Sequence, residues 1–238
     1  MIKHCLIINM IQRTDLWDNL KSFRDDWSKN GTVTRIVGTD YTNQKYVLNE
    51  YITTNRINLN AGGFRNNMIS FLGELGCYNS HYDCWKYVVD NNLKNCLILE
   101  DGITFLRNDY INILSKEHIN MDIIYINQEM TINNKQFVGY GTQGYIVSFE
   151  GAKKLLTLCS TLSAPIDLHI RHLCNTKELN ATILNKPFVK RNNNRVSSIE
   201  GIVLNDQENL NAKQNTNSIV QRILIKLLEK NVNLDDYI

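Results

Sequence analysis

Residues 73–102 read GELGCYNSHYDCWKYVVDNNLKNCLILEDG, and this stretch decides the fold. Apolar side chains recur over residues 74–92 near the i, i+3, i+4, i+7 spacing of a helix. The apolar run at residues 96–99 follows, and such a run is typical of a strand that is covered on both faces. A helix that leads directly into a buried strand predicts an α/β fold with a mostly parallel sheet.

Patterns on both sides of this stretch extend the same architecture. We predict strands over residues 5–9, 33–37, 123–126 and 144–148, and helices over residues 14–29 and 151–158. Residues 41–70 lack a regular pattern and predict a loop-rich insertion, with a short helix around residues 47–53. Ligands bind open α/β sheets at the carboxyl ends of strands, so the polar residues that follow each strand are the first candidates for a site.

The composition of the 238-residue chain excludes several classes of protein. Its formal charge of +2 argues against nucleic acid as a partner, and we interpret the basic run at residues 186–191 as the edge of a solvated loop. The six cysteines form no C-x-x-C pair, and most are interpreted as core thiols. No apolar stretch approaches the ~20 residues of a membrane-spanning helix and no signal peptide is evident, which predicts a soluble, cytoplasmic protein.

The C-terminal part of the chain predicts a separate element. We divide the chain into a domain over residues 1–205 and a polar linker with an amphipathic helix over residues 206–238. Ser218 is the expected N-cap of this helix. We expect the helix to pack on the domain or on a second copy of the chain, giving a homodimer. Its basic face leaves attachment to a membrane surface as the alternative.

Glu100 and Asp101 directly follow the apolar run at residues 96–99 and form the sharpest chemical feature of the sequence. Two ionised carboxylates at a strand end can hold a divalent cation against a nucleotide diphosphate. Taken alone, the pair also fits a turn with solvated side chains. The helix that precedes the strand favours the ligand-binding interpretation.

The run Gly-Glu-Leu-Gly-Cys-Tyr-x-Ser-His-x-x-x-Trp from Gly73, followed by Leu-Ile-Leu-Glu-Asp at residues 97–101, resembles glycosyltransferase family 25. Residues 7–13, 35–40 and 144–167 resemble further segments of that family in the same order. The resemblance spans about residues 3–200. It implies a GT-A fold, a UDP-sugar donor, usually a manganese ion (Mn²⁺), and inversion at the anomeric carbon. The expected reaction transfers galactose or glucose to a hydroxyl of a glycan or of hydroxylysine in a protein.

The same resemblance implies roles for individual residues. Arg13 would face phosphate, and Asp40 would face uracil or ribose. The donor-binding candidates are Asn9, Arg13, Asp40, Glu74, Ser80, His81, Glu100 and Asp101. Asp101 and Glu100 would hold the metal. Apart from the resemblance, His169 and His172 lie three residues apart and could share a helix face, so either could complete the metal shell. For His81, a structural role as a hydrogen-bonded link between helix and strand stays open.

Inversion by direct displacement needs one base within hydrogen-bond reach of the acceptor hydroxyl. Asp167 is the first candidate because it follows Pro165 in a break between predicted helices and matches an acid of the family. Glu129, just past a predicted strand, is the second. A helix-capping role for Asp167 stays equally open, since a helix is expected over residues 168–173.

Gly102 departs from the family, which usually has Glu-Asp-Asp where this chain has Glu-Asp-Gly. Residues two apart in a strand point the same way, so the missing acid would share a face with Glu100. Its loss weakens the metal site, unless the chain turns after Leu99 and Gly102 lets the backbone approach the diphosphate. Besides an active transferase, a degenerate domain that binds a sugar nucleotide or glycan, or supports a partner chain, therefore stays open. A dehydrogenase or methyltransferase is disfavoured because no G-x-G-x-x-G follows the first strand.

Overall fold

The computed structural model describes residues 2–41, 68–110, 114 and 120–192. Its strands are β1 (His4–Asn9), β2 (Thr32–Val37), β3 (Asn95–Glu100), β4 (Ile103–Phe105), β5 (Ile123–Tyr125), β6 (Thr131–Asn133), β7 (Gln136–Val138), β8 (Gly144–Ser148), β9 (Ala181–Ile183) and β10 (Val189–Arg191). Its helices are α1 (Thr14–Asn19), α2 (Lys21–Trp27), α3 (Met68–Asp90), α4 (Phe149–Leu158) and α5 (Ile166–Asn175). The predicted C-terminal linker and helix, and the domain boundary at residue 205, lie outside the described residues.

The central sheet has six strands in the order β2-β1-β3-β8-β5-β9. β1 pairs in parallel with β2 and β3, and β5 pairs in parallel with β9. β8 runs antiparallel to both of its neighbours, so it is the one reversed strand of this sheet. The predicted α/β fold with a mostly parallel sheet is therefore confirmed. The apolar pattern at residues 144–148 predicted the extent of β8 but not its direction.

The helices follow the predicted positions with one interruption. The helix expected over residues 14–29 is two short helices, because the backbone of Leu20 (φ −90°, ψ 6°) leaves the helical region between them. Helix α3 matches the prediction for residues 74–92 but begins earlier, at Met68. The short helix predicted around residues 47–53 lies outside the described residues. Ser148 caps α4 by accepting a hydrogen bond from the Gly151 amide at 3.0 Å.

Two small antiparallel ribbons, β4–β10 and β6–β7, were not predicted. The interpretation of residues 186–191 as a solvated loop edge is wrong for the second half of that run. Phe188 and Val189 are fully buried and hold the chain against the sheet, where β10 pairs with β4. Within the described residues, no helix has both the length and the apolar character needed to cross a membrane.

Alternate residues of the central strands feed two separate cores, as the period of two along a strand requires. Leu6 and Ile98 belong to the core beneath α3, whereas Cys5 and Ile7 face the core that contains Phe23. Because both faces are covered, β1 and β3 read as continuous apolar runs. The polar residues at their carboxyl ends are thereby placed at one edge of the sheet.

Helix α3 packs closely on the segment that follows β2, and Gly76 is the point of contact. A Cβ atom at this position would lie 2.4 Å from the carbonyl oxygen of Thr39. Cβ atoms in proteins essentially never make contacts that short, so a side chain here would push the helix away from the segment that carries Asp40. Gly76 is thus needed for close packing between the helix and this segment, a role that the sequence pattern did not indicate.

We expect Gly76→Ala to lower the free energy of unfolding by about 1 kcal/mol or more. Overpacking against the Thr39 carbonyl costs ~1–3 kcal/mol and outweighs the better helix propensity of alanine. The matched control is Gly102→Ala, whose added Cβ would meet nothing within 4 Å. Chemical denaturation of both variants checks the expectation, and equal stability of the two would contradict the close contact.

Candidate active site

A cavity of about 540 Å³ lies at the carboxyl ends of β1 and β3. In the strand order β2-β1-β3, the chain passes from β1 to β2 on one side and then crosses back over β1 to β3 on the other side. Such a switch point is where open α/β sheets form their ligand crevices. Because β8 is reversed, the loop at residues 140–143 that precedes it reaches the same edge and closes the cavity from the far side.

The cavity brings together eight of the eleven residues that the sequence singled out. They are Asn9, Arg13, Asp40, Glu74, His81, Glu100, Asp101 and Asp167. The other three, Ser80, Glu129 and His169, do not line it. The residues that line the cavity come from distant parts of the chain. The ends of β1 and β3 meet at one edge of the sheet, and helices α3 and α5 add Glu74, His81 and Asp167 there.

Asn9 and Asp101 face each other across the switch point. The side-chain amide of Asn9 donates to Asp101 Oδ2 at 2.6 Å and to the Arg13 carbonyl at 3.0 Å. Arg35 donates to the other end of the same amide, Asn9 Oδ1. Since an arginine can only donate, this contact fixes which end of the Asn9 amide points toward Asp101.

Arg35 is itself held in place by aromatic stacking. Its guanidinium lies over the ring of Trp17 at 4.9 Å from the centroid, and Arg24 lies over the same ring at 4.0 Å. Arg35 also donates to the Met10 carbonyl at 3.3 Å. The strand-end carboxylate of Asp101 is thus oriented through a chain of contacts that begins in helix α1.

Glu100 accepts hydrogen bonds from two sides of the cavity. Thr142 donates to Oε1 at 2.7 Å, and His81 Nε2 lies 3.2 Å from the same oxygen. Burial on its own would raise the pKa of Glu100, but the contacts with His81 and Thr142 and the charge of Arg191 outweigh it and lower the pKa below its usual value. Glu100 is therefore an ionised carboxylate at neutral pH.

His81 links the cavity to the interior through a chain of buried hydrogen bonds. Trp85 Nε1 donates to Tyr145 Oη at 2.9 Å, and the same hydroxyl lies 2.9 Å from His81 Nδ1. With the indole donating to it, the Tyr145 hydroxyl donates its own proton to Nδ1. His81 then carries its proton on Nε2 and donates it to Glu100. His81 lines the cavity and at the same time joins α3 to β3 and β8.

Ser80 supports the cavity from behind. Its hydroxyl donates to the Gly76 carbonyl at 2.7 Å and accepts from the Thr39 amide at 2.9 Å. The adjacent Asp40 accepts from the Gln12 side chain at 3.0 Å. Ser80 thus positions the segment that carries Asp40.

Asp167 lies in the first turn of α5 and faces the loop at residues 140–143. Its Oδ2 accepts from the Gly141 amide at 3.1 Å, and its Oδ1 accepts from the Leu168 amide at 2.9 Å. The N-cap of this helix is Pro165, so Asp167 is not the capping residue that the alternative interpretation expected. Asn127 fixes the same loop by donating to the Gly141 carbonyl at 3.2 Å.

Glu129 and His169 are engaged elsewhere. Glu129 Oε1 accepts from the Arg191 amide at 2.8 Å. His169 Nδ1 lies 3.0 Å from the hydroxyl of Tyr78, and its Nε2 lies 3.3 Å from that of Ser163. Burial, with a smaller effect from the nearby His172, lowers the pKa of His169. Both of its ring nitrogens are occupied by contacts within the protein.

Sequence reasoning missed several residues that line the cavity: Cys77, Tyr140, Thr142 and Arg191. For Cys77 a signal existed, because it precedes His81 by four positions and therefore shares its helix face. Burial raises the pKa of the Cys77 thiol, and the charges of Glu100, Asp167 and Glu74 raise it further. No signal pointed to Thr142 or Arg191, which reach the cavity only through the direction of β8 and the pairing of β10.

The cavity is rich in negative charge. Five carboxylates line it, from Asp40, Glu74, Glu100, Asp101 and Asp167, against the two arginines Arg13 and Arg191. An anionic diphosphate bound here would need an additional cation. Oxygen ligands suit Mn²⁺, which is commonly held by one or two carboxylates together with phosphate oxygens and water. Glu100 and Asp101 fit that requirement, whereas His169 does not reach the cavity.

Comparison with known families gives an independent result. The model of "Glycosyltransferase family 25 (LPS biosynthesis protein)" matches residues 48–138. The matched segment makes up less than half of the chain and is similar to that family. It contains Glu74, His81, Glu100 and Asp101, while Asn9 and the other cavity residues from the two ends of the chain lie outside it. The matched part is therefore narrower than the resemblance found in the sequence.

Curated relatives also match about a third of the chain. Procollagen galactosyltransferase 1 of Danio rerio is 31% identical over 103 residues, and procollagen galactosyltransferase 2 of Homo sapiens is 30% identical over 103 residues. A glycosyltransferase 25 family member of Drosophila melanogaster is 35% identical over 102 residues. These matches cover 35–36% of this chain but only 16–17% of the relatives. The chain thus aligns with about a sixth of each relative.

Solved structures show weaker likeness. The apo-form glycosyltransferase GlyE of Streptococcus pneumoniae has a TM-score of 0.45 and 8% identity, covering 98% of this chain and 65% of its own. A putative glucose-1-phosphate thymidylyltransferase of Bacillus anthracis in complex with a sucrose has a TM-score of 0.43 and 11% identity, covering 86% and 79%. The strand order and register described above define the fold more directly than these scores.

Proposed function

We propose that this protein is an inverting glycosyltransferase that takes galactose or glucose from a UDP-sugar and transfers it to a hydroxyl of a glycan or of a hydroxylysine-type residue. The observation that carries the proposal is the single cavity at the switch point, which collects eight of the residues implied by the family resemblance. The similarity of residues 48–138 to glycosyltransferase family 25 supports a transferase activity.

The two sides of the cavity have different chemical character. On the β1 side, Arg13 supplies the positive charge that a phosphate needs, and Asp40 supplies a carboxylate for the ribose or base. On the α3 side, Glu74 and His81 offer polar contacts for the donor sugar. We assign the nucleotide to the first side and the sugar to the second, which is consistent with the position of each residue in the cavity lining.

A manganese ion is proposed as the cofactor, held by Glu100 and Asp101. When bound, it would supply positive charge to the departing diphosphate. The protein's own residues prepare this position: Asn9 orients Asp101, while His81 and Thr142 orient Glu100. These donors stabilise the ionised carboxylates until a cation binds.

Asp167 is proposed as the base that takes the proton from the acceptor hydroxyl. It lines the cavity, and its bonds to the Gly141 and Leu168 amides fix the orientation of its carboxyl group. Tyr140, which is 62% exposed, lies at the same side of the cavity and offers an aromatic surface to an acceptor. Glu129 is the weaker candidate because it does not line the cavity.

A thermal-shift assay with UDP-galactose and UDP-glucose, with and without Mn²⁺, tests donor binding. At a ligand concentration of 100 Kd, the bound donor is expected to stabilise the protein by ~2.7 kcal/mol. Asp101→Asn should remove most of this stabilisation, whereas Asp90→Asn, at the exposed end of α3, should keep it. If neither UDP-sugar raises the melting temperature of the wild type under any metal condition, the proposed donor class is wrong.

Hydrolysis of the UDP-sugar in the absence of acceptor tests the base. Asp167→Asn is expected to lower kcat by ~10²-fold or more, because general-base catalysis is worth ~10²–10⁴-fold. The Kd for UDP should change little, since Asp167 is not assigned to the nucleotide. Glu129→Gln is the matched comparison and should retain the wild-type rate. The opposite pattern would make Glu129 the base.

A second candidate function is a binding domain without turnover, and Gly102 is the observation that favours it. A Cβ at this position meets nothing within 4 Å, so the backbone leaves room for a side chain to begin where the family usually has its third acid. We expect Gly102→Asp to raise the Mn²⁺-dependent hydrolysis rate at least tenfold, with Gly102→Ala as the control. If the wild type binds UDP-sugar without hydrolysing it and Gly102→Asp does hydrolyse it, the wild type is a degenerate domain. Equal hydrolysis rates in the wild type and Gly102→Asp would show that the third acid is not needed.

A further inference from the structure

Three side chains of different chemistry meet in the wall of the cavity. Cys77 and His81 lie four residues apart on one face of α3, and Glu100 ends the strand beneath that helix. Their ligand atoms, Sγ, a ring nitrogen and a carboxylate oxygen, all lie within 4.8 Å of one another. Within the described residues this is the one group of three that satisfies the distance requirement for a shared metal ion.

The measured geometry is compatible with a tetrahedral ion. His81 Nε2 and Glu100 Oε1 are 3.2 Å apart. With Zn–N and Zn–O bonds of ~2.0–2.2 Å, two ligands of a tetrahedral zinc ion are separated by roughly 3.4 Å. The pair therefore has almost the spacing it would have as zinc ligands, and the ion would replace the proton that now lies between the two atoms.

The surroundings of His81 also suit metal binding. A ligating histidine usually bonds its second ring nitrogen to a fixed partner, which orients the ring. Tyr145 Oη lies 2.9 Å from His81 Nδ1 and is itself held by Trp85 Nε1. The ring is fully buried, and its Nε2 is thereby aimed at Glu100 in the cavity wall.

The donor set selects the kind of metal. Thiolate and imidazole ligands favour zinc and related ions, whereas Mn²⁺ favours carboxylate, carbonyl and water oxygens. Three protein ligands leave a fourth position, which is typical of zinc sites that also bind a small ligand. All three residues line the cavity, so that position faces the space open to ligands.

We propose that Cys77, His81 and Glu100 form a zinc-selective metal site in the cavity wall, which shares Glu100 with the proposed manganese position but adds sulfur and nitrogen ligands that Mn²⁺ does not favour. The proposal does not depend on the proposed transferase activity, because it concerns the protein and the metal alone. On binding, the Cys77 thiol releases its proton to solvent, the His81 proton moves from Nε2 to Nδ1, and the cation takes the position between the three ligands. The Tyr145 hydroxyl, which donates to Nδ1 in the metal-free protein, then accepts from it.

Cobalt is a spectroscopic substitute for zinc, and titration of the metal-free protein with Co²⁺ tests the site. One equivalent is expected to produce a thiolate-to-cobalt charge-transfer absorption together with the visible bands of tetrahedral Co²⁺, and both should disappear on addition of Zn²⁺ but not of Mn²⁺. Cys77→Ser should abolish the charge-transfer band. Cys174→Ser, which alters another buried cysteine that does not line the cavity, should keep it.

A labelling experiment on the wild-type protein covers the case in which Cys77→Ser does not fold. Cys77 is partly exposed but has a raised pKa, so it should react slowly with iodoacetamide at alkaline pH, where Zn²⁺ should slow the reaction at least tenfold further while Mn²⁺ leaves it unchanged. Mass spectrometry identifies the labelled cysteine. Absence of the thiolate band in the wild type, its persistence in folded Cys77→Ser, or equal labelling of Cys77 with and without Zn²⁺ would overturn the proposal.

Discussion

The carboxylate of Glu100 joins the three parts of the chain that build the cavity. It ends the central strand β3, it lies against His81 of α3, and it accepts from Thr142 of the loop that precedes β8. Burial of a carboxylate is costly unless hydrogen bonds and charges compensate for it. The positions of the helix, strand and loop therefore depend on each other, because each supplies part of that compensation.

The contact between Thr142 and Glu100 shows how the reversed strand β8 contributes to the site. In a fully parallel sheet, only loops that follow strands reach the carboxyl edge. The reversed strand instead begins at that edge, so Thr142 and its neighbours enter β8 directly from the cavity. Asp167 and Asn127 hold this loop through Gly141, whose φ of +92° lies in the region that glycine favours. The loop is thereby fixed opposite the ends of β1 and β3.

Local patterns were sufficient to predict most of the sheet and the long helix, because apolar period and length are properties of neighbouring residues. The extents of β1, β3 and β8 follow from such patterns, as does most of α3, which begins six residues before the predicted start. The direction of β8 and the pairing of β10 with β4 depend on contacts between distant residues, and the sequence pattern carries no record of them. This is why Arg191 was placed on a solvated loop edge although it lines the cavity.

The part of the candidate site that could be predicted from the sequence is the part formed by strand ends. Asn9 and Asp101 follow apolar runs, and parallel strands bring such ends together. Ser80 and His169 were chosen because of their residue type and family resemblance, but hydroxyl and imidazole groups also serve in packing. In both cases the partners that decide the role, Thr39 and Tyr78, are remote in the sequence.

The absence of an acid at Gly102 changes which residues control the charge at the strand end. Asp101 turns toward Asn9, and Glu100 turns toward His81, so the two neighbouring carboxylates are held by different partners on opposite sides. The chain bends at residues 101 and 102, so the two-residue period of a strand does not place a third acid on the face of Glu100. Such an acid would still add an oxygen ligand at the strand end and favour an oxygen-bound metal. Without it, the nearest additional ligands to Glu100 are the ring of His81 and the thiol of Cys77. The metal preference of the cavity is therefore set as much by helix α3 as by the strand end itself.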